Sequence, residues 1–308
     1  MPRMNTLLDA EHTAARLPWA PLVDELEALL GDATVQVPPR TVLPMADGAF
    51  LFAMPGCDAR TAMTKLITFT PANAGTSRPT IQGDVTVFDV ASGERRLILD
   101  GPTVTGRRTA AVSALAARWL APNLAGPMLI VGAGVQGYAH VEVFAAALGV
   151  RQFRIASRRR ASAEALAAHA RALGLQADVV EDADAALADC PLAATCTPAS
   201  EVVLRALPRA DAFIAAVGAF TPKMVEIDAG LCRHLAATGR VVVDSRDAGH
   251  EAGDLLQAGL DVAAMPSLAD VVRAQSKARA DGGPVLFKSC GWAGWDLAAA
   301  RLAVKPMG

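Results

Sequence analysis

The chain has 308 residues, 52% of them apolar and 5% aromatic, with a formal net charge of −2. That length admits two domains with sizeable cores, and the near-neutral charge argues against nucleic acid or an anionic membrane surface as a partner. Further exclusions follow from the absence of an apolar run of ~20 residues that would span a bilayer, of a signal-peptide core at the start, of any C-x-x-C among Cys57, Cys190, Cys196, Cys232 and Cys290, and of ligand spacing among the histidines. The expectation is a cytoplasmic protein with reduced thiols and no metal site.

Residues 9–30 predict helices broken around Pro18 and Pro21. From 34 to 54 short apolar runs meet turns, and Ala46-Asp47-Gly48 between two such runs predicts a hairpin. TAMTKLITFTP and DVTVFDVASGERRLILDG continue the texture, with Ser92-Gly93 as another hairpin turn. The first ~100 residues therefore predict a mostly antiparallel sheet with helices. TGRRTAAVSALAARWLA predicts a long helix with Thr105 as its N-cap.

The texture then changes. Strand-like MLIVGA, a helix over 137–148, strand QFRIAS, helix ASAEALAAHARALG, then DVVED, ADAALADC, LAATC, FIAAVG and VVVDS alternate. Short apolar strands alternating with helices imply βαβ units and a parallel sheet. The boundaries fall at 119–290 for this domain, with 1–118 and the helical tail 291–308 forming the other.

LIVGAGVQGYAH carries G-x-G-x-x-G at Gly132, Gly134 and Gly137, after a strand and before a helix. That context predicts a dinucleotide cradle over Gly132, Ala133, Gly134, Val135 and Gln136. The glycines serve the tight turn, the approach of a pyrophosphate and close packing of the helix, whose N-terminus attracts the anion. After the second strand an NAD site usually has a carboxylate for the ribose; this chain has Ser157, Arg158, Arg159 and Arg160. Guanidinium groups bind a 2′-phosphate that a carboxylate would repel, so the expected cofactor is NADP(H), with NAD(H) also admitted.

Other polar residues stand in apolar settings. Lys65 interrupts a strand, Arg40 follows Pro-Pro, and Arg107 and Arg108 sit beside Thr109 early in the long helix. Each alone reads as a surface charge; together they suit a substrate carboxylate. Glu226 and Asp228 offer an acid or base, and equally a helix cap. Thr197, Pro198 and Ser200, and Val217 in AAVGAF, lie in loops suited to the crevice at the strand ends, and FKSCGWAGWDL, which holds Ser289, reads equally as a binding turn or a packing turn.

Taken in order, VPPR, MPG, KLITFTPANAG, RPTIQGDVTVFD, GRRTAAVSALA, VGAGVQGYAH, IASR, TCTPAS, VGAF, MVEID, VVVDS and FKSCGWAGWDLAAA resemble the ornithine cyclodeaminase/μ-crystallin family over most of the chain. The resemblance implies a homodimer with a Rossmann-type parallel-sheet domain inserted into an α+β substrate and dimerisation domain. It implies Arg40, Lys65 and Arg108 at the substrate carboxylate, Thr109 at the cofactor phosphates and Asp228, with Lys65, as catalytic. Gly134, Val135 and Gln136 match the cradle, Ser157, Arg158 and Arg159 the adenosine ribose contact, and Ser289 the nicotinamide side. Two departures bear on activity: the arginines in place of an acid after the second strand, and GAFLFAMPG, which has no carboxylate to hold an ornithine ammonium. The expectation is reduction of a cyclic ketimine carboxylate, a small-molecule imino or amino acid. Ornithine cyclodeamination, amino-acid dehydrogenation and non-catalytic ligand binding are the alternatives.

Overall fold

The computed structural model describes residues 7–73, 76–198, 201–276 and 282–306. The backbone divides into two compact units, Met1–Arg108 with Trp292–Gly308, and Thr109–Gly291.

The first unit opens with α1 (Ala10–Ala15) and α2 (Trp19–Leu30). Residues 16–18 separate them, with Pro18 as the N-cap of α2. Pro21 lies in the first turn of α2, where its missing N–H has no partner to lose. Leu22, Val23, Leu26, Leu29 and Leu30 form the buried stripe of α2. An antiparallel sheet follows in the order β1 (Thr41–Pro44), β2 (Phe50–Cys57), β3 (Thr61–Phe69), β4 (Ile81–Asp89) and β5 (Arg95–Asp100). Both expected hairpin turns are present: Asp47 and Gly48 take φ of 55° and 71°, and Gly93 a φ of 70°. On β3, side chains alternate between faces, so Lys65 shares the buried face with Met63 and Ile67.

α3 (Gly101–Leu120) begins four residues before the expected Thr105 cap. Asp100 takes the capping role, its carboxylate accepting from the Thr103 N–H at 2.8 Å. Pro102 fits the first turn, so the signal that reads as a strand end is also a helix start.

The second unit is built on β6 (Met128–Val131), α4 (Val135–Leu148), β7 (Gln152–Ala156), α5 (Arg160–Ala172), β8 (Gln176–Val179), α6 (Ala183–Leu187), β9 (Leu192–Thr195), β10 (Phe213–Ala216), α7 (Ala229–Thr238), β11 (Arg240–Val243), α8 (Gly253–Gln257), α9 (Leu268–Arg273) and β12 (Val285–Lys288). Its sheet runs β11-β12-β10-β9-β6-β7-β8, every adjacent pair parallel. β6, β9, β10 and β12 are buried along their whole length, as strands covered on both faces must be. The order reverses at β6, between β9 and β7, and ligands of such sheets bind at that switch point beyond the strand ends. β12 is absent from the expected strands, yet it lies between β10 and β11.

The chain then returns to the first unit as α10 (Ala293–Ala303), packed on α2 and on β2, β3 and β4. Its alanines allow close approach. Arg301 binds Glu25, Asp32 and Asp58 at 2.7, 2.9 and 3.2 Å. No described helix is long and apolar enough to cross a membrane.

Candidate active site

Residue by residue, the cradle has the form its glycines require. Gly132 has φ of +114°, and a Cβ there would meet the Cys196 carbonyl oxygen at 2.8 Å. A Cβ on Gly137 would lie 2.2 Å from the Gly132 carbonyl oxygen, so only glycine lets α4 start this close to the turn. Around Gly134, by contrast, a Cβ would have nothing within 4 Å. Gly134 caps α4 without any side-chain bond, which leaves the first-turn N–H groups and the positive end of the helix dipole for an anion. The Gln136 Oε1 is buried without a described hydrogen-bond partner, an acceptor suited to a ligand hydroxyl. These features fit a dinucleotide pyrophosphate.

Beyond β7, Ser157 is half-buried while Arg158 and Arg159 are exposed. Arg160 is engaged by Glu164 at 3.2 Å and Glu181 at 2.7 Å. Behind the cradle, buried His140 joins α4 to α3. Its Nδ1 faces the Gln136 carbonyl at 2.8 Å and Nε2 faces the Ser113 hydroxyl at 2.9 Å. A carbonyl only accepts, so Nδ1 carries the proton and Nε2 accepts from Ser113. Burial lowers the imidazole to about 4, so it is a neutral bridge. Thr109, one turn before Ser113 on α3, is buried beside it.

A second buried network ties the loops at the carboxyl ends of the strands. Glu226 accepts at Oε1 from the Thr197 N–H and hydroxyl (2.7 and 2.9 Å), and at Oε2 from the Gly218 and Ala219 N–H groups (2.6 and 3.1 Å). Asp254 accepts from the Glu226 and Ile227 N–H groups and pairs with Lys288 at 2.5 Å. Asp244 accepts from the Ser289 hydroxyl and the Cys290 and Gly291 N–H groups. Thr197, Val217 and Ser289 thus lie in the expected strand-end loops, with Thr197 and Ser289 donating inward; Ser200 lies outside the described residues. Glu226, an acid/base candidate by residue type, has its carboxylate engaged by four donors. Asp228 caps α7, its Oδ1 accepting from the Gly230 and Leu231 N–H groups at 2.7 and 3.1 Å.

In the first unit, Lys65, Arg108 and Asp296 meet. Lys65 Nζ lies 2.8 and 3.0 Å from the two Asp296 oxygens, and Arg108 Nε 3.2 Å from Oδ1. All three are buried, with Asp296 fully so. Burial lowers the Lys65 ammonium to about 8, against the pull of Asp296; the nearby positive charges of Arg108 and Arg40 lower it further. Arg40 also stacks over the Phe52 ring at 5.7 Å. Two cations thus share one carboxylate, with the positive charge of Arg40 also reaching Lys65, an arrangement suited to an anionic ligand. Arg107 is not part of this set: it donates to the Leu17 carbonyl and lies over the Trp19 ring. Sequence reasoning missed Asp296; its one signal is a lone acid in the Ala- and Leu-rich run AGWDLAAARLA.

A parallel sheet with a glycine turn at its switch point defines a dinucleotide-binding class of fold. The chain belongs to the ornithine cyclodeaminase/mu-crystallin family, whose sequence profile matches residues 8–305. It is 38% identical over 299 residues to Δ1-pyrroline-2-carboxylate reductase 2 of Burkholderia ambifaria, covering 96% of this chain and 94% of the relative. It is 35% identical over 316 residues to the ketimine reductase mu-crystallin of Mus musculus, covering 98% and 97%. Among solved structures, Thermococcus litoralis Δ1-pyrroline-2-carboxylate reductase in complex with NADH and L-proline shares the fold with a TM-score of 0.88 at 23% identity, covering 97% and 96%. An archaeal alanine dehydrogenase dimer with bound NAD shares it with a TM-score of 0.86 at 21% identity, covering 97% and 94%.

Proposed function

We propose that the protein reduces a cyclic ketimine carboxylate: Δ1-pyrroline-2-carboxylate to L-proline, and the six-membered Δ1-piperideine-2-carboxylate to L-pipecolate. The observation that carries this reading is the buried set of Lys65 and Arg108 on Asp296, with the charge of Arg40 reaching Lys65. Relatives at 38% identity that carry the Δ1-pyrroline-2-carboxylate reductase name support it.

A bound nicotinamide supplies the hydride. The chain's own part is to fix the substrate carboxylate through Arg40, Lys65 and Arg108 and to keep the ring nitrogen protonated, because an iminium accepts hydride better than a neutral imine. Hydride adds to the ring carbon, the C=N π pair becomes the nitrogen lone pair, and the proton stays on nitrogen. Lys65, a member of that set, is also a proton source there when it is charged.

Cyclodeamination fits less well, because a substrate ammonium has no counterion in the stretch between Asp47 and Asp58. Asp47 lies in an exposed turn, and Asp58 is taken by the Arg60 and Thr61 N–H groups and by Arg301. NADPH is the preferred reductant in this proposal, supported by the exposed Arg158 and Arg159 where an NAD site has a carboxylate. A cytoplasmic homodimer completes it: none of the five cysteines is in a disulfide, and Val42, Leu43, Met45 and Leu66 leave apolar surface exposed on the first unit.

The test is NADPH oxidation with each ketimine, beside ornithine with NAD. Loss of NADPH absorbance with a ketimine is expected; no loss with either ring, or ammonia release from ornithine, would overturn the proposal.

A further inference from the structure

Asp296 differs from the residues around it. It is fully buried in a helix of small and apolar side chains, where an unpaired carboxylate would be very costly. Its two oxygens face two cationic heads, and those are the heads the proposed function places on the substrate carboxylate. A carboxylate there competes with substrate for the same donors, so its presence needs a reason beyond substrate binding.

The surroundings of Lys65 supply that reason. Its register neighbours, Met54 on β2 and Val85 on β4, are apolar. The charges that reach it are Asp296 from α10, Arg108 from α3 and Arg40 ahead of β1. The other charge on α10, Arg301, is bound by Glu25, Asp32 and Asp58. Two of the three charges reaching Lys65 are therefore positive and one negative. Burial and both arginines oppose the ammonium form, and Asp296 favours it. Without that carboxylate Lys65 loses its proton first, since both arginines stay charged at any working pH.

We infer that Asp296 is a positioning residue whose ion pair keeps Lys65 charged at working pH, and that it thereby sets the alkaline limit of catalysis. The kinetic part of this inference rests on the ketimine reductase reading; the charge state of Lys65 does not. With Lys65 protonated, the set both holds the substrate carboxylate and has a proton to give. With Lys65 neutral it has one cation fewer and no proton on that amine. The alkaline limb of activity is then a property of this one ion pair.

The experiment follows the Lys65 Cε signal by NMR against pH in full-length protein carrying isotope-labelled lysine, with Lys65→Arg used to assign it. In the wild type the midpoint is expected near 8. Asp296→Asn should move it down by about one unit or more, because a close opposite charge is worth that much. Arg108→Gln removes a like charge and should move it up, and it decides the matter if Asp296→Asn does not fold. The alkaline limb of kcat/KM for ketimine reduction should follow each midpoint, whereas a purely structural Asp296 would lower activity at all pH values and leave the limb in place. Coincident midpoints, or a limb that does not follow them, would overturn the inference. Absence of ketimine turnover in the wild type would overturn the functional reading, and the titration alone then decides the role of Asp296.

Discussion

Each unit buries a set of charged side chains, and the two sets are completed differently. In the second unit, four N–H or O–H donors close on Glu226, two N–H groups and Lys288 on Asp254, and three donors on Asp244. In the first, Lys65 and Arg108 meet a single acid, and the charge of Arg40 also reaches Lys65. Burying an ion costs several kcal/mol unless its bonding capacity is met. The acidic set draws its donors from the chain itself and serves to hold the strand-end loops, with Asp244 Oδ1 an oxygen left without a described hydrogen-bond partner. The cationic set instead brings two cationic heads to one carboxylate, the arrangement proposed above to receive a substrate carboxylate.

The strongest way to break that contrast is Lys65→Met. It should reduce kcat/KM for the ketimine by about a thousandfold or more, through loss of a buried charge-assisted contact and of the proton source. It also carries a pH signature. Lys65 has a folded-state pKa of about 8 against an ordinary 10.5, so between those values the unfolded chain binds more protons. Folding stability from this group therefore rises with pH across that window. Urea unfolding at the two ends should show the rise in the wild type and lose it in the variant.

Glu226→Gln addresses the closed set. The amide presents N–H groups to two of the four donors, so a loss of about 3 kcal/mol in urea unfolding is expected. A loss below about 0.5 kcal/mol would remove the scaffold role. Smaller again is Arg158→Ala with Arg159→Ala, which should raise KM for NADPH about tenfold and leave KM for NADH within about twofold. Equal changes for both cofactors would detach these arginines from the 2′-phosphate. The smallest effect is expected from Asp228→Asn. Asparagine caps helices as well as aspartate does, so the melting temperature should hold and kcat should stay within about threefold. A fall of about a hundredfold in kcat would put this carboxylate into the proton chemistry.

What was legible in the chain followed distance along it. The cradle, both hairpin turns and the alternation on β3 rest on neighbours within a few residues, so glycine spacing and period two disclose them. Lys65 stood out for the same reason, as a charge on a face shared with Met63 and Ile67. Its counterion did not, because Asp296 is 231 residues away and one acid in an alanine-rich helix reads equally as a solvent-facing residue. Arg107 and Arg108 are identical by type; the ~100° between successive helix positions sends one to Trp19 and the other to Asp296. β12, a four-residue run like β6, β9 and β10, escaped because its end lies in FKSCGWAGWDL, which reads as a turn. Glu226 remained ambiguous between acid and cap because all four of its donors, the Thr197 N–H and hydroxyl and the Gly218 and Ala219 N–H groups, are brought to it only by the folded loops.

The return of α10 to the first unit has a consequence for how the chain is made. The second unit is contiguous, Thr109–Gly291, so all of its strands are available once that stretch has left the ribosome. The first unit is begun earlier and finished later: β2, β3 and β4 are synthesised long before the helix that covers them. Throughout that interval the apolar face of β3 and the ammonium of Lys65 wait for their partners, and Asp296 arrives 231 residues after Lys65. A truncation that removes only residues 292–308 would therefore leave the second unit whole and the first unit's sheet uncovered, a species expected to seek chaperones rather than substrate.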